Sequence, residues 1–329
     1  MKGHMIKELA RYHQLFSSLR TDKNKKRWSV TTKHQAPHKP FLLLSILDQI
    51  SSSNITKNFI EPSLNLIETF NNYWSLIMSI GSSASMSYPF YHLETSGFWH
   101  LVSTHGEQHQ VGRTVSSVKR LLELYQGAKL DDDLFILLNN KEYRHELRSI
   151  LINHYFAPEI HQGLWDQATI NKQSEAYYYN ILEHPEEASS MVAEAPSPIY
   201  QKVRDQGFRK AIVRLYEHRC AICGIRILTP EGHTVVEAAH IIPWSQTHND
   251  SPQNGMSLCK LCHWSFDEGL MGVDLDYKVM VSPSVQKNNN FSGHMQMLSD
   301  REIFKPDENK YWPKQENFDH HRNIVYRKT

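Results

Sequence analysis

The sequence has no long apolar run, only four cysteines and almost no net charge. Its 14 glycines and 14 prolines are ordinary counts, so neither a fibrous nor a disordered chain is indicated. The longest mostly apolar run, 41–47, is too short to cross a bilayer, and the N-terminus lacks the pattern of a signal peptide. We therefore expect a globular protein in the cytoplasm with no membrane partner.

The net charge of +1 conceals a strong segregation of charge along the chain. Residues 20–39 hold seven Lys or Arg against one acid, and residues 202–226 hold seven against two, giving local net charges of +6 and +5. The stretch between them, 157–198, holds one Lys against seven acids, a net of −6. Two basic regions separated by an acidic one suit two domains that each contact phosphate. Solvated surfaces are the alternative for each basic run.

A chain of 329 residues exceeds the size at which one hydrophobic core usually keeps growing, which indicates two domains. The first half has the apolar periodicity of helices over 6–19, 41–50, 62–80, 115–124 and 141–156. Pro40 lies where the first turn of the buried 41–50 helix is expected. Residues 88–93 and 98–102 predict two strands of a hairpin around a glycine turn, with Phe98 and Trp99 in the core.

The predicted fold class is α+β. We expect a mainly helical DNA-reader domain with a small β-hairpin over 5–165, a linker over 166–199, and a second domain over 200–329. The segment APSP at 195–198 is the linker signal, and a helix over 200–217 leads into the first cysteine pair.

All four cysteines lie in two C-x-x-C pairs, Cys220 with Cys223 and Cys259 with Cys262. Two such turns supply the tetrahedral set of four thiolates that a structural Zn²⁺ ion prefers. The 35 residues between the pairs exceed the spacing of a short zinc ribbon, so another folded element lies between them. Disulfides and free thiols are the alternatives, and paired motifs in a cytoplasmic chain disfavour both.

Between the pairs the sequence reads VVEAAHIIPW at 235–244 and NGMSLC at 254–259, and His263 follows directly after Cys262. Asn254 stands 14 residues after His240, and His263 stands 23 after it. This pattern over 220–272 resembles the HNH, or ββα-metal, endonucleases. The resemblance implies a ββα fold with His240 at a strand end as general base, Asn254 holding the loop, and His263 on the helix binding the catalytic metal.

The chemistry of phosphodiester hydrolysis requires these residue types. An imidazole with a pKa near roughly 6.5 accepts a proton from water at neutral pH, and a divalent ion stabilises the charge that develops on the phosphorus oxygens. Imidazole with oxygen ligands suits Mg²⁺ or Mn²⁺, and also Co²⁺ or Ni²⁺. HNH nucleases often place a second metal ligand directly before the base, where this chain has Ala239. Glu237 and Asp267 are both open as that ligand, and Asp267, four residues after His263, shares its helix face. A structural carboxylate at the helix end is the alternative for Asp267.

The segments PHKPFLLL at 37–44, YPF at 88–90 and GFW at 97–99 resemble the sulfur-binding domain of McrA-like type IV restriction enzymes, which recognise phosphorothioated DNA. The resemblance spans about 5–160. It implies a shallow pocket for the backbone sulfur, with Tyr88 and Pro89 as the apolar wall and His38 and Lys39 on the polar side. Sulfur is larger and less hydrated than oxygen, so a proline surface favours it while a nearby cation satisfies the phosphate charge. The family often has Arg where this chain has Lys39.

The sequence therefore predicts a modification-dependent endonuclease that binds phosphorothioated double-stranded DNA and cuts nearby phosphodiester bonds. Further phosphate contacts are expected from the basic loop, namely Lys25, Lys26, Arg27 and Lys33. Two alternatives stay open: an HNH nuclease directed to a methylated base, and a non-catalytic zinc DNA-binding protein. A homodimer is compatible with the prediction, because one HNH site cuts one strand.

Overall fold

The computed structural model describes residues 2–78, 85–104, 115, 117–186, 197–287, 290 and 293–329. The chain divides into two compact units, the first reaching Lys172 and including Pro230–Gly232, the second comprising Gln173–Thr229 and His233–Thr329. The predicted linker at 166–199 includes the second half of a helix, His161–Glu183, while 187–196 lie outside the described residues. Among the described helices, none is long and apolar enough to span a membrane.

The first unit is mainly helical and contains one two-stranded sheet. Its elements in chain order are α1 Lys2–Ser17, α2 His38–Ser51, α3 Leu64–Ile77, α4 Ser87–His92, β1 Trp99–Ser103, α5 Val118–Leu124, β2 Tyr125–Leu130, α6 Asp132–Asn139, α7 Lys141–Tyr155 and α8 His161–Glu183, whose end belongs to the second unit. Short 3-10 turns cover Val30–Thr32, Leu93–Ser96 and Pro158–Ile160.

Helix α2 is the central helix of the first unit, as its apolar sequence predicts. Every residue from Lys39 to Ile50 is buried, and Pro40 lies in the first turn, where its missing N–H has no helical partner to lose. Asp48 on this helix accepts hydrogen bonds from Tyr73 Oη at 2.7 Å and Asn171 Nδ2 at 2.8 Å, and pairs with Arg148 at 2.6 Å. Because each charge is paired and hydrogen-bonded, the core tolerates this polar cluster.

The predicted hairpin over 88–102 is wrong in its first strand. Residues 87–92 form α4, with Pro89 in its first turn, and the chain passes through Leu93–Ser96 to Gly97, whose φ of 77° ends that turn. The second predicted strand is β1, and it pairs antiparallel with β2, Trp99 opposite Leu130. The small sheet thus exists, but its partner strand comes later in the chain. Phe98 and Trp99 are fully buried, so their assignment to the core is confirmed.

The second unit combines helices with two short antiparallel sheets among its described residues. Its elements are α9 Pro198–Leu215, β3 Val236–His240, α10 Trp244–Thr247, β4 Gly255–Cys259, α11 Lys260–Asp267, β5 Met271–Val273, β6 Val279–Val281, α12 Gly293–Gln296 and α13 Gln315–Ile324. Further 3-10 turns cover Pro252–Asn254, Pro283–Gln286 and Asn309–Tyr311.

Helix α9 packs closely against strands β3 and β4, which pair with His240 opposite Gly255. A Cβ on Gly255 would lie 2.4 Å from Ile212 Cδ1 of α9, so only glycine permits this approach. Strand β4 runs directly into α11, and the order β3, β4, α11 is the predicted ββα arrangement. The α+β fold class is confirmed.

Candidate functional site

The four cysteines converge in the second unit, and their Sγ atoms all lie within 4.8 Å of one another. Cys220 and Cys223 form a tight turn after α9, closed by a hydrogen bond from Gly224 N to Cys220 O at 2.9 Å. Gly224 has a φ of 77°, and a Cβ there would lie 2.5 Å from the Phe304 ring, so the turn requires glycine. The second pair lies where β4 meets α11.

The spacing of the sulfurs fits Zn²⁺. The Sγ atoms of Cys223 and Cys259 are 3.8 Å apart, which is far beyond a disulfide bond of about 2.05 Å. Four thiolates about 2.3 Å from one tetrahedral zinc ion would lie about 3.8 Å from each other. The four-cysteine cluster therefore has the geometry of a metal site, and four protein ligands are the set typical of structural zinc.

His240 is the last residue of β3, as predicted, and its ring is held from two sides. It stacks on Phe208 of α9 with ring centroids 4.0 Å apart and planes 5° from parallel. Its Nε2 lies 2.7 Å from Asp250 Oδ1. Because Phe208 and Asp250 fix the plane and one edge of the ring, Nδ1 is the nitrogen left to meet a substrate or water.

Asn254 is completely buried and ties the loop between the strands together. Its Oδ1 accepts from Ile242 N at 3.0 Å, and its Nδ2 donates to Ile242 O and Asn249 O, both at 3.0 Å. This use of every side-chain hydrogen-bonding direction but one explains why an amide is needed here. The loop that follows His240 is thereby closed on itself.

His263 lies on α11 between two carboxylates. Its Nδ1 is 2.9 Å from Glu237 Oε1 and its Nε2 is 3.4 Å from Asp267 Oδ2. Partial burial raises the pKa of Asp267, and the neighbouring Glu268 and Glu237 carboxylates act in the same direction. A cation at this place would relieve that repulsion. Both predicted second ligands are thus beside His263, one on each ring nitrogen.

In the first unit, Lys39 is 7% exposed although its side chain carries an ammonium group. Its Nζ lies 3.4 Å from Thr95 Oγ1, and among the described residues no carboxylate pairs with it. Burial and the nearby Arg20 lower the pKa of Lys39 to about 8. Burial, Lys39 and Arg20 likewise lower the pKa of His92, which places three basic groups near one another.

The predicted apolar wall lies on α4, next to these basic groups. Tyr88 is 54% exposed and contacts the ring of His92, with centroids 4.5 Å apart, and Pro89 is buried. His38 instead has its ring between Trp28 and Trp74, with centroid distances of 5.3 and 4.8 Å. This burial lowers the pKa of His38 to about 4, so the imidazole is neutral at physiological pH.

The structure places the predicted phosphate contacts along the exposed loop before α2. Lys25, Lys26 and Arg27 are exposed, and Arg27 lies 3.8 Å from Asp22. Lys33 donates to Asn153 O at 2.6 Å. Burial, with Lys33 and Lys23 as neighbours, lowers the pKa of His154.

Comparison with known proteins matches both units. Residues 11–173 match the family described as "ScoMcrA-like, DNA sulfur-binding domain", and residues 220–274 match the HNH endonuclease family. The chain therefore carries a domain that matches the DNA sulfur-binding family and, after it, an HNH endonuclease domain. The HNH match supports a DNA-cleaving hydrolase.

Two solved structures resemble this chain only loosely. The phosphorothioation-dependent endonuclease ScoMcrA aligns at 11% identity over 77% of this chain and 93% of its own, with a TM-score of 0.31. The modification-dependent TagI endonuclease aligns at 24% identity over 36% of this chain and 37% of its own, with a TM-score of 0.27. The aligned region thus spans about a third of the TagI chain. No curated protein matches.

The sequence patterns do not identify several residues that the structure places beside the predicted sites. Asp250 was not recognised as the partner of His240, although it lies in the loop that the HNH pattern defines. Arg20 belongs to the basic run 20–39, and His92 lies three residues after Pro89. The sequence therefore places both residues near predicted DNA-binding segments. Their association with Lys39 depends on how α2 and α4 pack.

Proposed function

We propose that the chain binds phosphorothioated double-stranded DNA through its first unit and hydrolyses nearby phosphodiester bonds through its second. The observation that carries this proposal is Lys39, a buried ammonium with no acidic partner among the described residues, on a helix packed against the one that carries Tyr88 and Pro89. Burying an unpaired charge is costly unless a partner arrives. An anionic backbone group supplies that partner.

A phosphorothioate suits this pocket better than an ordinary phosphate. It carries the negative charge that Lys39 and Arg20 attract, and its sulfur is less hydrated than oxygen, so its transfer to the apolar surface of the exposed Tyr88, next to the buried Pro89, costs less. Arg20 also offers the planar donor fork that Lys39 lacks. The neutral His38 contributes a polar edge without charge.

For the cleavage step, we propose that His240 accepts a proton from the attacking water at Nδ1. The Nε2 edge is engaged by Asp250 and the ring plane is fixed by Phe208, so the base is oriented before DNA arrives. A bound divalent ion would stabilise the negative charge of the transition state. His263 would hold that ion. Mg²⁺ and Mn²⁺ suit the ligand set, and so do Co²⁺ and Ni²⁺.

Of the two carboxylates beside His263, we assign Asp267 as the second ligand and Glu237 as the group that orients the ring. Two ligands about 2.1 Å from one ion lie about 3.0–3.4 Å apart for octahedral to tetrahedral angles, and His263 Nε2 and Asp267 Oδ2 are 3.4 Å apart. Glu237 at 2.9 Å from Nδ1 then holds the ring as carboxylates hold metal-binding histidines. Mn²⁺ titration by calorimetry tests the assignment. Asp267→Asn should abolish measurable binding, whereas Glu237→Gln should weaken it by about 10–100-fold.

The function is tested with matched duplexes that differ in a single phosphorothioate, each incubated with the zinc-loaded protein and Mn²⁺. Cleavage of the modified duplex alone is expected, and His240→Ala should remove it while leaving DNA binding intact. Equal cleavage of both duplexes would refute sulfur recognition and leave the nuclease assignment standing. Preferential cleavage of a methylated duplex would favour the methylated-base alternative, and cleavage by His240→Ala would remove the base assignment. Sedimentation of the DNA complex tests the proposed homodimer.

A further inference from the structure

The most unusual feature of the HNH unit is a buried carboxylate that faces the general base. Asp250 is 1% exposed, and its two oxygens have different partners. Oδ1 faces His240 Nε2 at 2.7 Å, while Oδ2 accepts a hydrogen bond from Tyr177 Oη at 2.6 Å. Burial, with Asp250 as neighbour, raises the pKa of Tyr177 well above its usual range, so the phenol keeps its proton and donates.

A cation offsets the charge of this carboxylate on the Oδ2 side. Arg204 is also buried, and its Nε lies 3.7 Å from Asp250 Oδ2. Among the described residues, Arg204 Nε and Nη1 make no hydrogen bond, and the guanidinium stacks on Trp244 with 3.7 Å to the ring centroid. The guanidinium, which also pairs with Asp205 through Nη2, therefore places a positive charge beside Asp250 on the side away from His240.

Asp250 is held from the backbone side as well. Asn254 binds the carbonyl of Asn249, the residue directly before Asp250, and Ser251 N donates to Asn249 Oδ1 at 2.8 Å. The buried loop thus fixes where the carboxylate lies. These contacts define one hydrogen-bonded row from Tyr177 through Asp250 to His240.

We propose that Asp250 is the positioning residue that sets the tautomer of His240, an inference that rests on the proposed role of His240 as general base. An ionised carboxylate can only accept, so the proton of a neutral His240 ring lies on Nε2 and the lone pair lies on Nδ1. Nδ1 is then free to take the proton of the attacking water. Tyr177 and Arg204 contribute by holding the Oδ2 side of Asp250 in place.

The isosteric variant Asp250→Asn separates this role from simple packing. In this variant the amide oxygen of Asn at position 250 should occupy the Oδ2 position, because Tyr177 donates a hydrogen bond there and Arg204 is positively charged. The amide NH₂ group then faces His240 Nε2. An NH₂ donor there requires a lone pair on Nε2 and moves the ring proton to Nδ1. We expect kcat to fall by about 10²–10⁴-fold with KM and zinc content unchanged. Asp250→Ala, which imposes no donor, should retain at least as much activity as Asp250→Asn.

The tautomer itself is measured in the full-length zinc-loaded protein by ¹⁵N NMR of labelled histidine without added catalytic metal, with His240→Ala assigning the signals. The expected result is an Nε2–H ring in the wild type and an Nδ1–H ring in Asp250→Asn. Tyr277→Phe, which removes a hydroxyl bound to Pro313 O in the same unit, is the control variant and should change neither kcat nor the tautomer.

Either of two results would overturn the proposal: an Nδ1–H ring in the wild type, or a kcat of Asp250→Asn within about threefold of the wild type. A fall in zinc content or in DNA binding that matches the loss of activity would mean that Asp250 is only structural. If the wild type cuts no DNA at all, the proposed function fails, and the NMR measurement still decides the role of Asp250.

Discussion

Under the proposed function, the buried ammonium of Lys39 should give DNA binding a pH dependence that surface lysines do not produce. Its pKa of about 8 means that the free protein loses this charge within the working range, whereas an ordinary lysine with a pKa of 10.5 keeps it. If the phosphorothioate requires the charged form, the apparent Kd rises as the charged fraction falls. Between pH 7 and pH 9 that fraction drops about tenfold, so the Kd should rise about tenfold.

Fluorescence anisotropy with a duplex that carries one phosphorothioate, at constant ionic strength, measures this change. Lys39→Arg is the test variant, because guanidinium stays charged and its Kd should change by less than about twofold over the same range. His92 does not contribute to the pH dependence of Kd, because its lowered pKa leaves it neutral between pH 7 and pH 9. Lys26→Arg, at an exposed position in the same basic segment, is the control. The same pH dependence in wild type and Lys39→Arg would refute the reasoning.

The folding stability of the first unit should change with pH in the opposite direction to its affinity for DNA. An unfolded Lys39 keeps its proton up to about pH 10.5, while the folded one loses it near pH 8. The unfolded state therefore binds more protons between these values, and the first unit should become more stable as pH rises through that window. The first unit without DNA should therefore be least stable at the pH at which it binds DNA most tightly.

Three further predictions concern structure. Asn254→Ala removes three hydrogen bonds and should destabilise the loop by about 3 kcal/mol, seen as faster hydrogen exchange at the Ile242 amide; unchanged exchange there would contradict the assigned role. Arg148→Ala leaves Asp48 buried without its cation and should cost about 3–5 kcal/mol in urea unfolding, whereas a loss below about 1 kcal/mol would show that the pair is not formed. Cys259→Ser should lower the zinc content from one ion per chain and reduce the helical circular dichroism of the second unit, and full retention of zinc would exclude the four-sulfur site.

Local spacing explains why the HNH unit was predictable from sequence. The cysteine turns, the end of β3 at His240 and the start of α11 are each set by residues within a few positions, and Asn254 acts on its own loop. The first unit was harder. Residues 88–93 are aromatic and β-like in composition, but Pro89 suits the first turn of a helix, and the pairing of β1 with β2 joins segments more than twenty residues apart.

The missed residues share one property, which is that tertiary packing brings them to their partners. Asp250 reaches His240 because the loop between the strands folds back, and Tyr177 reaches Asp250 from α8. Similarly, Arg20 and His92 meet Lys39 only when α2 and α4 are packed. Periodicity and spacing describe neighbours along the chain, so they do not predict contacts that only tertiary packing forms.

Cys259 is the last residue of β4, belongs to the four-cysteine cluster, and is the N-cap residue of α11, the helix that carries His263. Because one residue has all three positions, the length of the chain between Asn254 and His263 is fixed. One inserted residue in β4 would turn its following side chains to the opposite face of the hairpin, and one inserted in α11 would rotate His263 by about 100°. Natural length variation in this protein should therefore fall outside 254–263, and libraries with insertions there should return few active clones.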